Sequence, residues 1–279
     1  MKTLTSEIIK NFELYLYEEE KSNNTIEKYM RDIRLFCGWL GERSINKFLL
    51  LEYKKYLCER YAPNSVNSIL SSLNALFMYM NWYEMKVKTL KIQRKIFSDT
   101  EKELTKAEYK RLLIAAKQKE NYRLYYLMQT IGSTGIRISE LKYITIDAVY
   151  VGQAIIKCKG KIRKIFLPKQ LCKMLKTYVK TQNIKSGSVF ITRSGKPLDR
   201  STVWKMLKSL CEIAGVARGK VFPHNFRHLF AKTFYSIKKD IVRLADILGH
   251  SSIETTRIYT IESGEVHRRQ IQKLGLLLC

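Results

Sequence analysis

Cysteine is sparse and unpatterned: Cys37, Cys58, Cys158, Cys172, Cys211 and Cys279 never stand at CxxC spacing. That argues against a zinc ribbon or a disulfide framework and for reduced thiols in a cytosol. The amino terminus, MKTLTSEIIK, has no apolar signal core, and no apolar run approaches the ~20 residues that a bilayer span requires. Carboxylates do not cluster at ligand spacing, so neither a metal site nor a cofactor is expected. Internal repeats and low-complexity tracts are missing too, which excludes a solenoid or a disordered tail protein.

Acidic residues are few. Against 25 Asp and Glu stand 51 Lys and Arg, a net charge of +26, and an excess of that size predicts a polyanionic partner. The imbalance is uneven: residues 1–100 hold 16 basic and 12 acidic residues, and the remainder holds 35 and 13. The second part is therefore the main phosphate binder. With 279 residues, 46% of them hydrophobic, the chain has room for two folded cores.

Apolar periodicity predicts helices over residues 1–95. Ile8, Ile9, Phe12 and Leu16 form one stripe; Ile26, Met30, Ile33, Phe36 and Leu40 form a second, after Ser22, Asn23 and Asn24 as cap candidates and before Gly41 as a stop. A third runs from Leu49 to Tyr61, and Pro63 opens a fourth through Val66, Ile69, Leu70, Leu73, Leu76 and Phe77. Four such helices make a small bundle. The charged, aperiodic KIQRKIFSDTEKEL reads as a linker, taken as residues 96–104, and 105–279 as a second domain. There Thr105 and Glu108 fit a capping box, a helix spans about Tyr122 to Ser133, and the β-branched stretch from Val149 to Pro168 predicts a small antiparallel sheet before helices return. The fold class expected is mainly α with this small sheet, the second domain being α+β.

The densest chemistry lies between Pro223 and Tyr259, in PHNFRHLFAKTFYSIKKDIVRLADILGHSSIETTRIY. On a helix His224 and Arg227, three apart, face one side and can grip one small anion. Gly249 supplies a helix stop before His250, and Ser251–Ser252 can cap a new helix ahead of Tyr259. A phenol near imidazoles and a guanidinium suits nucleophilic attack on a phosphodiester, the group guanidinium binds in bidentate fashion.

HxxRH, LGHSS and a tyrosine after ETTRI, with TGIRISEL at residues 134–141 and the basic CKGKIR at residues 158–163 between them, resemble the signature of the tyrosine recombinase (phage integrase) family. The resemblance covers nearly the whole chain, and SNNTIEKYMRDIRLFCGWL resembles the family's core-binding domain. It implies that Arg137 and Arg227 bind the scissile phosphate, that Tyr259 attacks to give a 3′-phosphotyrosine, and that His224 accepts its proton or bonds the phosphate. Lys159, or alternatively Lys161, protonates the leaving 5′ oxygen, and His250 donates to the phosphate. Glu140 supports Arg137, His228 has a supporting role, and Lys157, Lys161, Arg163 and Lys164 contact DNA.

The activity implied is site-specific recombination of double-stranded DNA without metal or ATP. It would be carried out by a clamp of two domains that is monomeric when free and tetrameric on DNA, in the cytoplasm on the nucleoid. Integration or excision of a mobile element, or chromosome resolution, are the roles in view. With no arm-binding domain ahead of residue 1, the plan resembles Xer-type or compact mobile-element members. The apolar tail from Glu265 to Leu278 docks on a neighbouring protomer or folds back on its own domain. A type IB topoisomerase-like relaxation and a non-catalytic DNA-binding regulator are the alternatives. Each motif alone has a plainer reading, Tyr259 being one of 17 tyrosines; their joint order carries the resemblance.

Overall fold

The computed structural model describes residues 2–92, 100–158, 161–250, 252–259 and 272–273. The chain divides into two compact units, Met1–Arg94 and Lys95–Cys279. Among the described residues, no helix is long and apolar enough to cross a membrane.

The first unit is built from α1 (Ser6–Glu18), α2 (Asn23–Leu40), α3 (Lys47–Arg60) and α4 (Pro63–Tyr79). Caps set the starts: Thr5 and Asn46 side chains accept from Ile8 N and Leu49 N, and Pro63 takes the first position of α4. The predicted stripes face inward, with Phe12, Leu16, Ile33, Phe36, Leu73 and Phe77 all buried. Periodicity did not foresee Asp32, a carboxylate buried on the inner face of α2. Lys28 Nζ lies 3.0 Å from it and the Ser72 hydroxyl donates to it at 2.9 Å, so the charge is compensated rather than isolated.

In the second unit the capping box of Thr105 and Glu108 starts α5 (Lys106–Gln118), followed by α6 (Tyr122–Thr134). The expected linker is shorter at its far end. Leu104 is buried in the second core, Glu103 pairs with Lys232, and Asn225 Nδ2 donates to the Lys102 carbonyl at 2.8 Å. A second departure is α7 (Ile146–Val151), which takes the Val149–Val151 run expected to open the sheet. The Thr145 cap and burial of Ala148 and Val149 on one side outweigh β-propensity there. Only then comes the antiparallel hairpin of β1 (Gln153–Cys158) and β2 (Lys161–Phe166), in register from Gln153 opposite Phe166 to Cys158 opposite Lys161. Ala154, Ile156 and Ile165 face the core. The chain continues through α8 (Lys169–Thr181), α9 (Arg200–Lys208), α10 (Pro223–Lys238), α11 (Ile241–Leu248) and α12 (Ile253–Arg257); the segment between α8 and α9 carries an isolated bridge of Ile191 with Pro197, and its Ser188 bridges back to Thr145 ahead of α7.

The end of α6 positions the site. Gly135 adopts φ +65°, and a Cβ built there would lie 2.4 Å from Phe230 Cδ1 on α10. Gly135→Ala is expected to destabilise the second unit by roughly 2–4 kcal/mol, combining left-handed strain with overpacking. A denaturant titration followed by tryptophan or circular dichroism signal checks this; an unchanged midpoint would contradict it.

Candidate active site

Two turns and two helix starts converge. Past Gly135, the backbone N–H of Arg137 donates to Glu140 Oε2 at 2.7 Å, and its Nη1 donates to Glu140 Oε1 at 3.0 Å. Residues Ile138–Tyr143 form a 3-10 helix rather than an α-helix, so the pair meets through a tight turn. Arg137 Nη2 reaches the Gly249 carbonyl at 3.2 Å, while the side chain stays 40% exposed and keeps donors toward solvent.

Arg227, one turn into α10 after Pro223, is 2% exposed. Its Nη1 donates to the Gly135 carbonyl at 2.6 Å and its Nη2 to the Leu248 carbonyl at 2.8 Å. The same Nη2 lies 2.9 Å from His250 Nε2. The guanidinium thus clamps the end of α6 to the end of α11.

Gly249, at φ +63°, closes α11 and turns the chain so that His250 faces Arg227. Here Arg163, expected from sequence as a DNA contact, turns inward. Its Nη1 donates to the Ile247 carbonyl at 2.6 Å, its Nη2 bonds Glu140, and its stem packs on Gly249, where any Cβ would fall 2.5 Å from Arg163 Cδ. A buried, half-paired Glu140 would be unfavourable; two guanidiniums compensate it. Arg163 is part of the frame that orients Arg137.

Ser252 caps α12, its Oγ accepting from Glu254 N, and Tyr259 follows at the helix end. Its ring is 2% exposed, packed on Ala231, Leu244 and Leu248. The His228 ring meets it edge-on at 4.9 Å between centroids, and the His250 ring lies nearly parallel at 6.0 Å. His250 Nδ1 in turn lies 2.8 Å from Thr256 Oγ1. His224 is exposed on the first turn of α10.

Of the residues singled out from sequence, Arg137, Glu140, Arg163, Arg227, His228, His250 and Tyr259 come together. Lys157 and Lys164 are exposed on the hairpin. Lys159, the Lys161 side chain and the Glu265–Leu278 tail, apart from Gln272 and Lys273, lie outside the described residues. Sequence reasoning missed Thr256 and the carbonyls of Gly135 and Leu248. Nothing local marks a backbone acceptor, and only the spacing of three residues before Tyr259 hints at Thr256. Among the described residues, no group of three or more His, Cys, Asp or Glu is placed to hold a metal ion.

Electrostatics keep the imidazoles neutral. Desolvation, then the charges of Arg227, Arg137 and Arg163 and the His224 ring, push His250 down to about 4. Burial pushes His228 to about 4, opposed by Glu103 and assisted by Lys232 and His224. His224 is also lowered, by desolvation first and then by Arg227, Arg137 and Arg200. Burial and Arg137 bring Arg227 to about 10, with the nearby Tyr259 hydroxyl and Glu140 acting the other way, so it remains a cation at neutral pH.

Histidines with folded values below their unfolded ~6.5 bind fewer protons when folded, so stability falls as pH drops through the interval toward 4. Thermal unfolding of the second unit is expected to shift downward between about pH 6.5 and pH 5, and His228→Gln to flatten that slope. A His228→Gln profile as steep as the parent's would count against neutral burial of that ring.

Residues 102–265 match the family described as Phage integrase family, and residues 9–84 match Phage integrase, N-terminal SAM-like domain. The tyrosine recombinase XerA of Pyrococcus furiosus is 30% identical, over 99% of this chain and 96% of that protein. Among solved structures, a lambda integrase (75–356) dimer bound to a COC' core site superposes with TM-score 0.76 at 16% identity, covering 94% of this chain and 97% of that one. A lambda integrase tetramer bound to a Holliday junction gives 0.72 at 18%, covering 91% and 76%. These two likenesses concern the fold.

Proposed function

Since the chain belongs to the phage integrase, or tyrosine recombinase, family, whose members cut and rejoin DNA strands in site-specific recombination, we propose that Tyr259 is its nucleophile and that Arg137 and Arg227 hold the scissile phosphate. The observation that carries the reading is the placement of the Tyr259 ring against His228 and His250, beside a buried Arg227.

The phosphodiester's two non-bridging oxygens take donors from Arg137 and Arg227, which neutralise the charge that builds during attack. The Tyr259 oxygen forms a bond to phosphorus, the bond from phosphorus to the 5′ oxygen breaks, and a 3′-phosphotyrosine results. The phenolic proton passes to neutral His224, which lies at the exposed edge of the site and whose lowered pKa keeps it an acceptor. The departing 5′ oxygen takes a proton from Lys159 on the hairpin. Because one ester bond replaces another, a 5′-hydroxyl from a second strand can reverse the step without ATP. That permits exchange between sites.

The partner is double-stranded DNA bearing recombination sites. The net charge of residues 101–279 and the exposed Lys157 and Lys164 support contact with backbone phosphates. In the first unit, Arg31, Arg34, Tyr61, Ser65 and Ser68 line a groove in which Lys28 is already paired with Asp32, and they offer cations and hydroxyls to the same polyanion. Strand exchange between two duplexes requires four active sites, so assembly as a tetramer on DNA follows from the reaction. Residues 1–95 serve as the core-binding domain, 105–279 carry the chemistry, and the protein works in the cytoplasm, where the DNA lies.

The test uses a pool of duplexes nicked next to the scissile position and randomised around it, which trap the covalent state because the short fragment diffuses away. An SDS-resistant adduct through a 3′-phosphate, formed in EDTA and without ATP, is expected. Adduct formation only with magnesium would overturn the mechanism, and adduct through a residue other than Tyr259 would overturn the assignment.

A further inference from the structure

Thr256 stands between the two groups on which cleavage depends. It is fully buried; its Oγ1 lies 2.8 Å from His250 Nδ1, and its carbonyl accepts the backbone N–H of Tyr259 at 3.0 Å. The other ring nitrogen, Nε2, lies 2.9 Å from Arg227 Nη2. A guanidinium nitrogen only donates. Nε2 therefore presents its lone pair to Arg227, and the ring proton sits on Nδ1, aimed at the Thr256 oxygen. In this arrangement His250 has no Nε2 proton to give a phosphate.

A hydroxyl, unlike a guanidinium, both donates and accepts. Resting on the reading of His250 as a donor to the scissile phosphate, we infer that Thr256 is a positioning residue whose hydroxyl lets His250 exchange tautomers when DNA arrives. While Nε2 faces Arg227, Thr256 accepts from Nδ1–H. When a phosphate takes over the Arg227 donor, the proton resides on Nε2 and Thr256 rotates to donate to Nδ1. Charge is conserved: water removes the Nδ1 proton and supplies one to Nε2. The ring's neutrality, enforced by burial and the surrounding arginines, makes tautomer rather than charge the variable. Because Thr256 also holds the Tyr259 backbone, one residue ties the orientation of the histidine to the segment that presents the nucleophile.

Nitrogen-15 NMR of histidine-labelled protein, with His250 assigned from its Asn variant, reads the tautomer directly. The Nδ1–H form is expected in free protein. The Nε2–H form is expected in Tyr259→Phe bound to a duplex recovered from the adduct-forming pool. In single-turnover cleavage of that duplex, Thr256→Val is expected to be slower by about ten- to hundredfold, as for loss of other outer partners of a working imidazole, with Thr256→Ser within about threefold and affinity unchanged for both. If the Val variant does not fold, Thr256→Ala against Thr256→Ser makes the same comparison of hydroxyl present and absent. An Nε2–H ring in the free protein, or a Val variant as fast as Ser, overturns the inference. Absence of any adduct from the unaltered protein sinks the parent reading instead, and the free-protein tautomer then decides this one.

Discussion

Tyr259→Phe is expected to eliminate the covalent protein–DNA adduct, a loss of at least about 10⁴-fold, while retaining DNA binding. The substitution removes one oxygen and leaves a ring that keeps its packing against Ala231, Leu244, Leu248 and the edge of His228. Folding stability should therefore move by no more than about 3 kcal/mol, the upper worth of one hydrogen bond to a charged group, here Arg227. Denaturing gels report the adduct and native gels the affinity, so the two effects separate in one preparation. Adduct persisting in the Phe variant would place the nucleophile elsewhere among the tyrosines. Loss of binding together with adduct would give the hydroxyl a structural role instead.

Arg227→Ala is expected to fail in both respects. Truncation leaves the Gly135 and Leu248 carbonyls without their donor and opens a cavity where one of the largest fully buried side chains stood. Unsatisfied buried acceptors and lost packing together should destabilise the second unit by about 2–4 kcal/mol. Cleavage should fall by roughly 10³-fold or more, since a preorganised donor to the developing charge is gone. Arg137→Ala supplies the contrast. Its guanidinium is 40% exposed and its main partner is Glu140, so cleavage should drop comparably while stability changes by under about 1 kcal/mol. Equal destabilisation by the two substitutions, measured by denaturant midpoints, would contradict the division of labour that burial assigns them.

The contrast between these arginines was invisible in the chain. TGIR and HNFRH each present one arginine near a helix end, and nothing in their neighbours says which is buried. The inward turn of Arg163 was equally invisible: among Lys157, Lys161 and Lys164 it read as one more DNA contact, and nothing nearby in sequence marks its bonds to Glu140 and the Ile247 carbonyl. The Val149–Val151 run favoured strand by composition and became the end of α7, because burial of Ala148 and Val149 counted for more. In the first unit the stripes were read correctly and the buried Asp32 between Lys28 and Ser72 was not.

What the amino-acid order determined by itself is therefore local: the helix starts at Thr105 and Pro63, the left-handed stops at Gly135 and Gly249, the inward stripes of α1 to α4, the hairpin, and the ordered set of chemical groups from Arg137 to Tyr259. Each depends on residues within about two helical turns, a range over which spacing alone dictates which side chains meet. Tertiary structure decided which arginine is buried, which way Arg163 turns, and that Thr256 joins His250 to Tyr259. Those outcomes rest on contacts such as Arg227 with Gly135, 92 positions apart, and Arg163 with Ile247, 84 apart. Partners that distant are chosen by the packing of whole helices, in which a buried guanidinium must find carbonyls to satisfy it, and no short stretch of sequence records where those carbonyls will be.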